Sequence, residues 1–273
     1  MPEGDTVYRL ARRLDAQLSG HRLTSADLRV PRFATLDLTG AVVLGTVSRG
    51  KHLLTRFDVG GSSLTGPTTL HTHLRMDGEW SVLGPGKRLP QRLLPDVRVR
   101  LSTEGPTALA LRMPVVEVLP TDQEASVVGH LGPDLLDAAT PVEDRVRVAV
   151  ENLRRRPERG LKAALLDQRN LAGIGNLWAD ELCYLRGHDP WTPAGTVDLE
   201  RIVRLAVKLL TFSVSPTGAM QVTTGDTRPG HRHWVSGRAG APCRRCGTPI
   251  AVRAEVPGDP EQRRTWWCPS CQR

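Results

Sequence analysis

Four cysteines near the end of the 273-residue chain fall in two short pairs, Cys243-Arg-Arg-Cys246 and Cys268-Pro-Ser-Cys271, with 21 residues between them. Two C-x2-C units at this separation suit a closed tetrahedral site, with one structural Zn2+ held on a pair of hairpin knuckles. A redox pair would need a thioredoxin-like βαβ context that the flanking sequence lacks. The fifth, Cys183, lies in the periodic segment NLWADELCYL and reads as core. At the other end, Pro2 follows a methionine that processing removes before small residues, which exposes a secondary amine. An α-amino group titrates at about 7.7 to 8.0 against about 10.4 for Lys, so more of it is nucleophilic near neutrality, although proline's own basicity must be depressed by its site. Beside it, Glu3 is a carboxyl able to shuttle protons.

Charge points to the partner of such chemistry. The 37 Lys+Arg and 29 Asp+Glu give +8, but residues 1 to 200 are balanced at 25 of each, so the excess lies in residues 201 to 273 with 12 against 4. A basic region concentrated in this way is the footprint of a polyanion. Arg244, Arg245, Arg253, Arg263 and Arg264 decorate the cysteine ribbon, and an arginine fork can hold a phosphate through two hydrogen bonds. No run of about 18 apolar residues and no basic-then-apolar leader is present, which argues against a membrane span and against secretion and leaves the cytoplasm as the expected compartment.

These residues need a scaffold, and its elements are readable. Val7, Leu10, Ala11, Leu14 and Leu18 recur at helical spacing over residues 5 to 19. From about 22 to 120, short runs (AVVLGTV, HLLTRF, TLHTHL, EWSVL, VRVRL, TALAL, VVEVL) separated by Gly, Pro and Asp predict a β-sandwich or barrel. From 134 onward PVEDRVRVAVENLRR, LKAALLDQ, NLWADELCYLRG and DLERIVRLAVKLLTFS predict four helices. Residues 218 to 240 lack a sustained period and read as a mobile linker or a loop lying on a ligand. The expected class is α+β and multidomain: a catalytic N-terminal helix and β-sandwich (1–133), a helical domain (134–225), and a linker with a zinc hairpin (226–273).

Taken together, MPEGDTV, SRGKHLL (48–54), LHTHLRMDGEW (70–80), LDQRNLAGIGN (166–176) and the terminal WWCPSCQ resemble the formamidopyrimidine-DNA glycosylase and endonuclease VIII family, across essentially the whole chain. PEGDTV places the likeness nearest the actinobacterial endonuclease VIII branch. The resemblance implies a helix-two-turn-helix domain and a bifunctional glycosylase and AP lyase acting on oxidised bases, pyrimidines foremost, in damaged DNA, as a monomer. It implies that Pro2 attacks C1′ and forms an iminium, that Glu3 donates and relays protons, and that Lys51 contacts phosphate and assists β-elimination. Arg263 takes the finger arginine's place in phosphate binding and δ-elimination, and Asn176 that of the phosphate-contacting asparagine. Met76 sits where an apolar side chain enters the space left by the extruded nucleotide, with Arg75 beside it on DNA. An 8-oxoguanine- or formamidopyrimidine-preferring enzyme and a non-catalytic damaged-DNA binder are the alternatives.

Residue chemistry agrees with several of these roles. Gly50 before Lys51 permits close backbone approach, and Gly173-Ile174-Gly175-Asn176 precedes a helix whose free N–H groups should face an anion. His71 and His73 alternate on one strand face without an evident carboxylate partner and read as structural. The chain also departs from the family pattern. His130 precedes Leu131-Gly132-Pro133-Asp134 where an Arg is usual, giving a weaker or pH-dependent phosphate contact. Ser236 stands where many relatives carry Tyr, and LALRMPVVEVLP carries Arg112 but no Phe wedge.

Overall fold

The computed structural model describes residues 2–60 and 66–273. The chain forms two compact units, one of Pro2 and Thr6–His130, the other of Glu3–Asp5 and Leu131–Arg273.

In the first unit, α1 (Gly4–Leu18) buries Val7, Ala11, Leu14 and Leu18, the stripe that the helical spacing marks. Eight strands follow: β1 (Ser25–Leu28), β2 (Val42–Arg49), β3 (His52–Asp58), β4 (Thr68–His73), β5 (Glu79–Leu83), β6 (Val97–Ser102), β7 (Thr107–Leu111) and β8 (Val115–Pro120). They make two antiparallel sheets, ordered β2-β3-β4-β8 and β1-β6-β7-β5. Leu53, Phe57 and Leu70 of the first sheet join Val99, Leu101, Ala108 and Ala110 of the second and the α1 stripe in one core. All seven strands expected from the apolar runs form. The eighth, β1, is a four-residue SADL segment whose alternation is too short to mark a strand by itself, and its pairing to β6 at the sheet edge is what makes it one.

The period of two along a strand gives the first sheet a polar face as well. Register sets Arg49 opposite His52, His52 opposite His73, and His71 opposite Glu117, all on the side away from Leu53, Phe57 and Leu70. Farther along, the Arg56 guanidinium grips the Glu124 carboxylate through two hydrogen bonds of 2.8 Å, beside a short helix α2 (Ala125–Val128).

The second unit holds α3 (Val142–Arg154), α4 (Leu161–Leu166), α5 (Asn176–Arg186) and α6 (Leu199–Val214), then a hairpin of β9 (Ala251–Arg253) and β10 (Thr265–Trp267). Asp198 caps α6 by accepting from the Arg201 N–H at 3.1 Å. The hairpin is too small for a core of its own. Its Ile250 and Cys268 pack with Tyr184 of α5 and with Val235, flanked by Trp234 and Trp266.

Two buried acids on α5 fasten this unit. Asp180 receives Lys162 of α4 at 2.7 Å, and Lys162 also donates to the Arg264 carbonyl at 2.7 Å and the Thr265 hydroxyl at 2.8 Å. Burial pushes the Asp180 carboxyl up to about 8 and Lys162 down, so the pair shares its proton and is neutral as a whole. Glu181, with no exposed surface, accepts from the backbone N–H groups of Trp234, Val235 and Ser236 at 2.8 to 2.9 Å and from the Thr223 hydroxyl. Within residues 218–240, the backbone of 234–236 is thus tied to one carboxylate instead of to a repeating ladder, which leaves no period in the sequence.

Candidate active site

Pro2 is half-buried and Glu3 is 1% exposed. The Glu3 carboxylate lies at the N-terminus of α5, accepting from the N–H groups of Gly175 at 2.9 Å, Leu177 at 2.8 Å and Trp178 at 3.3 Å. The anion facing this helix end is thus the protein's own acid. The first turn of a helix has N–H groups without intrahelical partners, and the helix dipole favours negative charge there.

Two glycines make the arrangement possible. A Cβ on Gly175 would sit 2.4 to 2.7 Å from Glu3 side-chain atoms, and one on Gly4 would lie 2.6 Å from the Gly173 Cα. The Gly4 N–H donates to the Gly173 carbonyl at 2.8 Å, so the PEG opening and the GIG turn lie backbone against backbone. Gln168 holds the turn in shape: its amide donates to Leu166 O and Ile174 O, and its carbonyl accepts from the Gly173 N–H.

Asn176 opens α5, and its side-chain N–H group donates 2.8 Å to the Arg264 carbonyl, the oxygen that Lys162 also contacts. Arg263 precedes that carbonyl. Its side chain is 44% exposed and only loosely paired with Glu255 at 3.6 Å. Glu3 and Asn176, two residues singled out from the sequence, are brought together at one helix end within the second unit, and the Asn176 bond to the Arg264 carbonyl ties that end to the segment that carries Arg263.

Lys51, Arg75, Met76 and His130 belong to the first unit. Gly50 and Lys51 form the two-residue loop of the β2–β3 hairpin, and Gly50 takes the positive φ of 59° at the first turn position that such a loop demands. After β4, Gly78 N–H closes a turn onto Leu74 O at 2.8 Å, lifting Arg75, at φ 49°, and Met76 to the surface. Met76 is 62% exposed and is not the core residue that a methionine at a strand end usually is. Arg112 is engaged by Asp96 at 2.8 Å and Glu79 at 3.8 Å.

His71 does have a carboxylate partner. Its Nδ1 lies 2.8 Å from Glu117 and its Nε2 2.8 Å from His52 Nδ1, while the ring of His52 meets those of His73 and His130 edge-on at 4.7 and 6.2 Å. The pairing escapes sequence reading because Glu117 is 46 residues away and becomes a neighbour only through β4–β8 pairing.

In the hairpin, the Sγ atoms of Cys243, Cys246, Cys268 and Cys271 all lie within 4.8 Å of one another, with Cys243 to Cys271 at 3.9 Å and Cys246 to Cys268 at 3.5 Å. A tetrahedron with metal–sulfur bonds of about 2.3 Å requires sulfurs about 3.8 Å apart, so the four residues can hold a metal ion. Arg245 lies over the rings of Tyr184 and Trp234, 4.5 and 5.2 Å from their centroids, tying the first knuckle to α5. Cys183 is fully buried, and burial pushes its thiol up.

Residues 1–114 match the formamidopyrimidine-DNA glycosylase N-terminal domain and residues 131–220 the formamidopyrimidine-DNA glycosylase H2TH domain. Over its whole length the chain is 49% identical to a probable endonuclease 8 2 of Streptomyces coelicolor, covering 94% of that protein. It is 44% identical to the DNA-(apurinic or apyrimidinic site) lyase Nei2 of Mycolicibacterium smegmatis, covering 99% of it. The chain belongs to the formamidopyrimidine-DNA glycosylase and endonuclease VIII family.

Solved members of the family share its fold. The Lactococcus lactis formamidopyrimidine-DNA glycosylase, crystallised with DNA containing an AP site, matches 99% of both chains with a TM-score of 0.77 at 23% identity. The Thermus thermophilus MutM protein matches 99% of this chain and 98% of its own, with a TM-score of 0.74 at 30% identity. Lys162 and Glu181 are structural residues that the sequence reading of the family motifs passed over. Each is a charged residue at a core-facing helical position, and that is the signal by which they could have been found.

Proposed function

We propose that the protein is a bifunctional DNA glycosylase and AP lyase that excises oxidised bases, pyrimidines foremost, from damaged DNA. The observation that carries this reading is the fixing of Glu3, immediately after Pro2, by three backbone N–H groups. An acid whose carboxylate is held by fixed backbone donors is suited to proton transfer at a neighbouring amine.

In this reading the target nucleotide is swung out of the duplex, since its C1′ is unreachable in the stack. The Pro2 nitrogen attacks C1′, the glycosidic bond breaks with its electron pair going to the base, and Glu3 relays the protons that base departure and sugar-ring opening require. The resulting iminium acidifies C2′. Loss of that proton expels the 3′ phosphate, and a second elimination, through C4′, expels the 5′ phosphate. Lys51 and Arg263 hold and neutralise the leaving phosphates, Asn176 and His130 contact the backbone, and Met76 with Arg75 occupies the vacated stack.

Cys243, Cys246, Cys268 and Cys271 would hold one Zn2+ whose contribution is to clamp the hairpin, because four protein ligands leave no open position for chemistry. The functional division is a catalytic part (1–133), a helix-two-turn-helix part (134–225), and a linker with zinc finger (226–273). No described helix is long and apolar enough to cross a membrane, and the protein is proposed to act as a cytoplasmic monomer, associated with the nucleoid when on DNA.

Borohydride reduction in the presence of abasic or oxidised-pyrimidine duplexes tests the mechanism. A covalent adduct whose peptide map ends at Pro2 is expected. Absence of an adduct, or attachment at a lysine, overturns it. A protein that shifts the duplex in a gel and never nicks it is a binder only. Thymine glycol, dihydrouracil and 8-oxoguanine in duplex and single strands rank the substrates.

A further inference from the structure

The polar face of the first sheet carries a chain of groups that the excision chemistry does not use. Glu117 of β8, His71 of β4 and His52 of β3 lie in series, each 2.8 Å from the next. Their protonation pattern follows from what each atom can do. A carboxylate only accepts, so His71 Nδ1 carries the hydrogen. The Nε2 of neutral His71 then accepts, and His52 Nδ1 must donate to it. His52 Nε2 is left as an acceptor at the other end of the row.

The groups around that end are predominantly cationic or imidazole. Arg49 of β2 lies opposite His52, His73 of β4 meets it edge-on, and His130 approaches from the segment after α2. Lys51 and Arg75, on the turns flanking β3 and β4, act electrostatically on His73, and Arg75 acts on His52 as well. Burial first, then neighbouring His73, His71, His130 and Arg75, hold His52 down at about 3. Burial, Arg75, His71 and Lys51 hold His73 at about 4. Glu117, at the far end of the row, is the carboxylate bonded to this cluster.

We propose that Glu117, His71 and His52 form a one-way proton relay, and that a polyanion occupying the Lys51 and Arg75 turns draws one proton into it. A proton arriving at His52 Nε2 is matched by transfer of the His52 Nδ1 hydrogen to His71 Nε2. The charge comes to rest as a His71 imidazolium against the Glu117 carboxylate, and only N–H bonds form and break. Without the polyanion, Arg75 opposes a charge on His52, where the proton enters the row, and Lys51 opposes one on the adjoining His73. With it, their field is neutralised and the proton affinity of the row rises. The complex then holds more protons than the free protein, so affinity increases as pH falls through the range in which the complex is protonated and the free protein is not.

The inference rests on the reading of Lys51 and Arg75 as phosphate-facing residues. A duplex containing a tetrahydrofuran abasic analogue, which the lyase step does not consume, is the probe. Calorimetric titration of the full chain in two buffers of different ionisation enthalpy is expected to show uptake of about one proton, with Kd tightening by up to about tenfold per pH unit below neutrality. In Glu117→Gln the amide oxygen still accepts from His71 but cannot hold an imidazolium. Uptake is lost there, and Kd at alkaline pH is unchanged.

Equal uptake in wild type and Glu117→Gln, or none in wild type, overturns the relay. Binding without uptake leaves the proposed function standing, whereas failure to bind the probe at all counts against both. Imidazole 15N spectra of the free protein judge the wiring without any DNA. His52 is expected as the Nδ1–H tautomer, and finding it as Nε2–H overturns the relay directly.

Discussion

Glu3 and Glu181 are the same side chain in nearly the same setting. Both are at most 1% exposed, both accept from three successive or near-successive backbone N–H groups, and both involve α5, one at its N-terminus and one along its side. They differ in what lies next along the chain. Glu181 is followed by helix and holds residues 234–236 in place, so its work ends in the fold. Glu3 follows the half-buried Pro2, and under the proposed function the same anchoring positions an acid beside the Pro2 amine. Burial and hydrogen bonding alone do not separate a catalytic carboxylate from a structural one; the neighbouring group does.

A matched pair of substitutions breaks or sharpens that contrast. Glu3→Gln is expected to lower base excision by about 10²- to 10⁴-fold, the usual worth of a positioned acid–base group. Glu181→Gln, the same chemical change, is expected to leave borohydride trapping per folded molecule unchanged while lowering stability by about 1 to 3 kcal/mol, as one amide end meets N–H donors it cannot accept from. Equal losses of excision in both variants, measured beside thermal unfolding, would erase the distinction.

The next effect in size concerns the cysteine hairpin. Because Ile250 and Cys268 share a core with Tyr184 and Val235, Cys246→Ser or chelation of the metal is expected to lower the unfolding temperature of the second unit and weaken DNA binding, while the β-sandwich unit unfolds as before. Preserved affinity after metal loss would show that the ribbon is not needed for grip. The smallest effect is expected at Arg263. Its replacement by Ala should reduce the slope of log K against log salt by about one unit if it neutralises one phosphate, and an unchanged slope would remove it from the interface.

The repeating elements were legible from one-dimensional patterns because each side chain's face is fixed by local geometry: Val7, Ala11, Leu14 and Leu18 had to share a helix face, and the alternation in VRVRL had to be a strand. The cysteine spacing likewise placed four thiols together with no further information. Fidelity was lost where a segment is organised by a distant partner. SADL became β1 only by pairing to β6, residues 234–236 are held by Glu181, and the expected anion at the GIGN turn was Glu3, more than 170 residues earlier in the chain.

By itself, then, the sequence determined the helices other than α2, most of the strands, the clustered cysteine set and the family to which the chain belongs, since all of these follow from spacing along the chain. Only the tertiary structure decided what Glu3 touches, that Asn176 meets the Arg264 carbonyl, and that His71 finds Glu117 across two strands. Those are hydrogen bonds between residues far apart in the chain, and a hydrogen bond is set by a few tenths of an ångström in space.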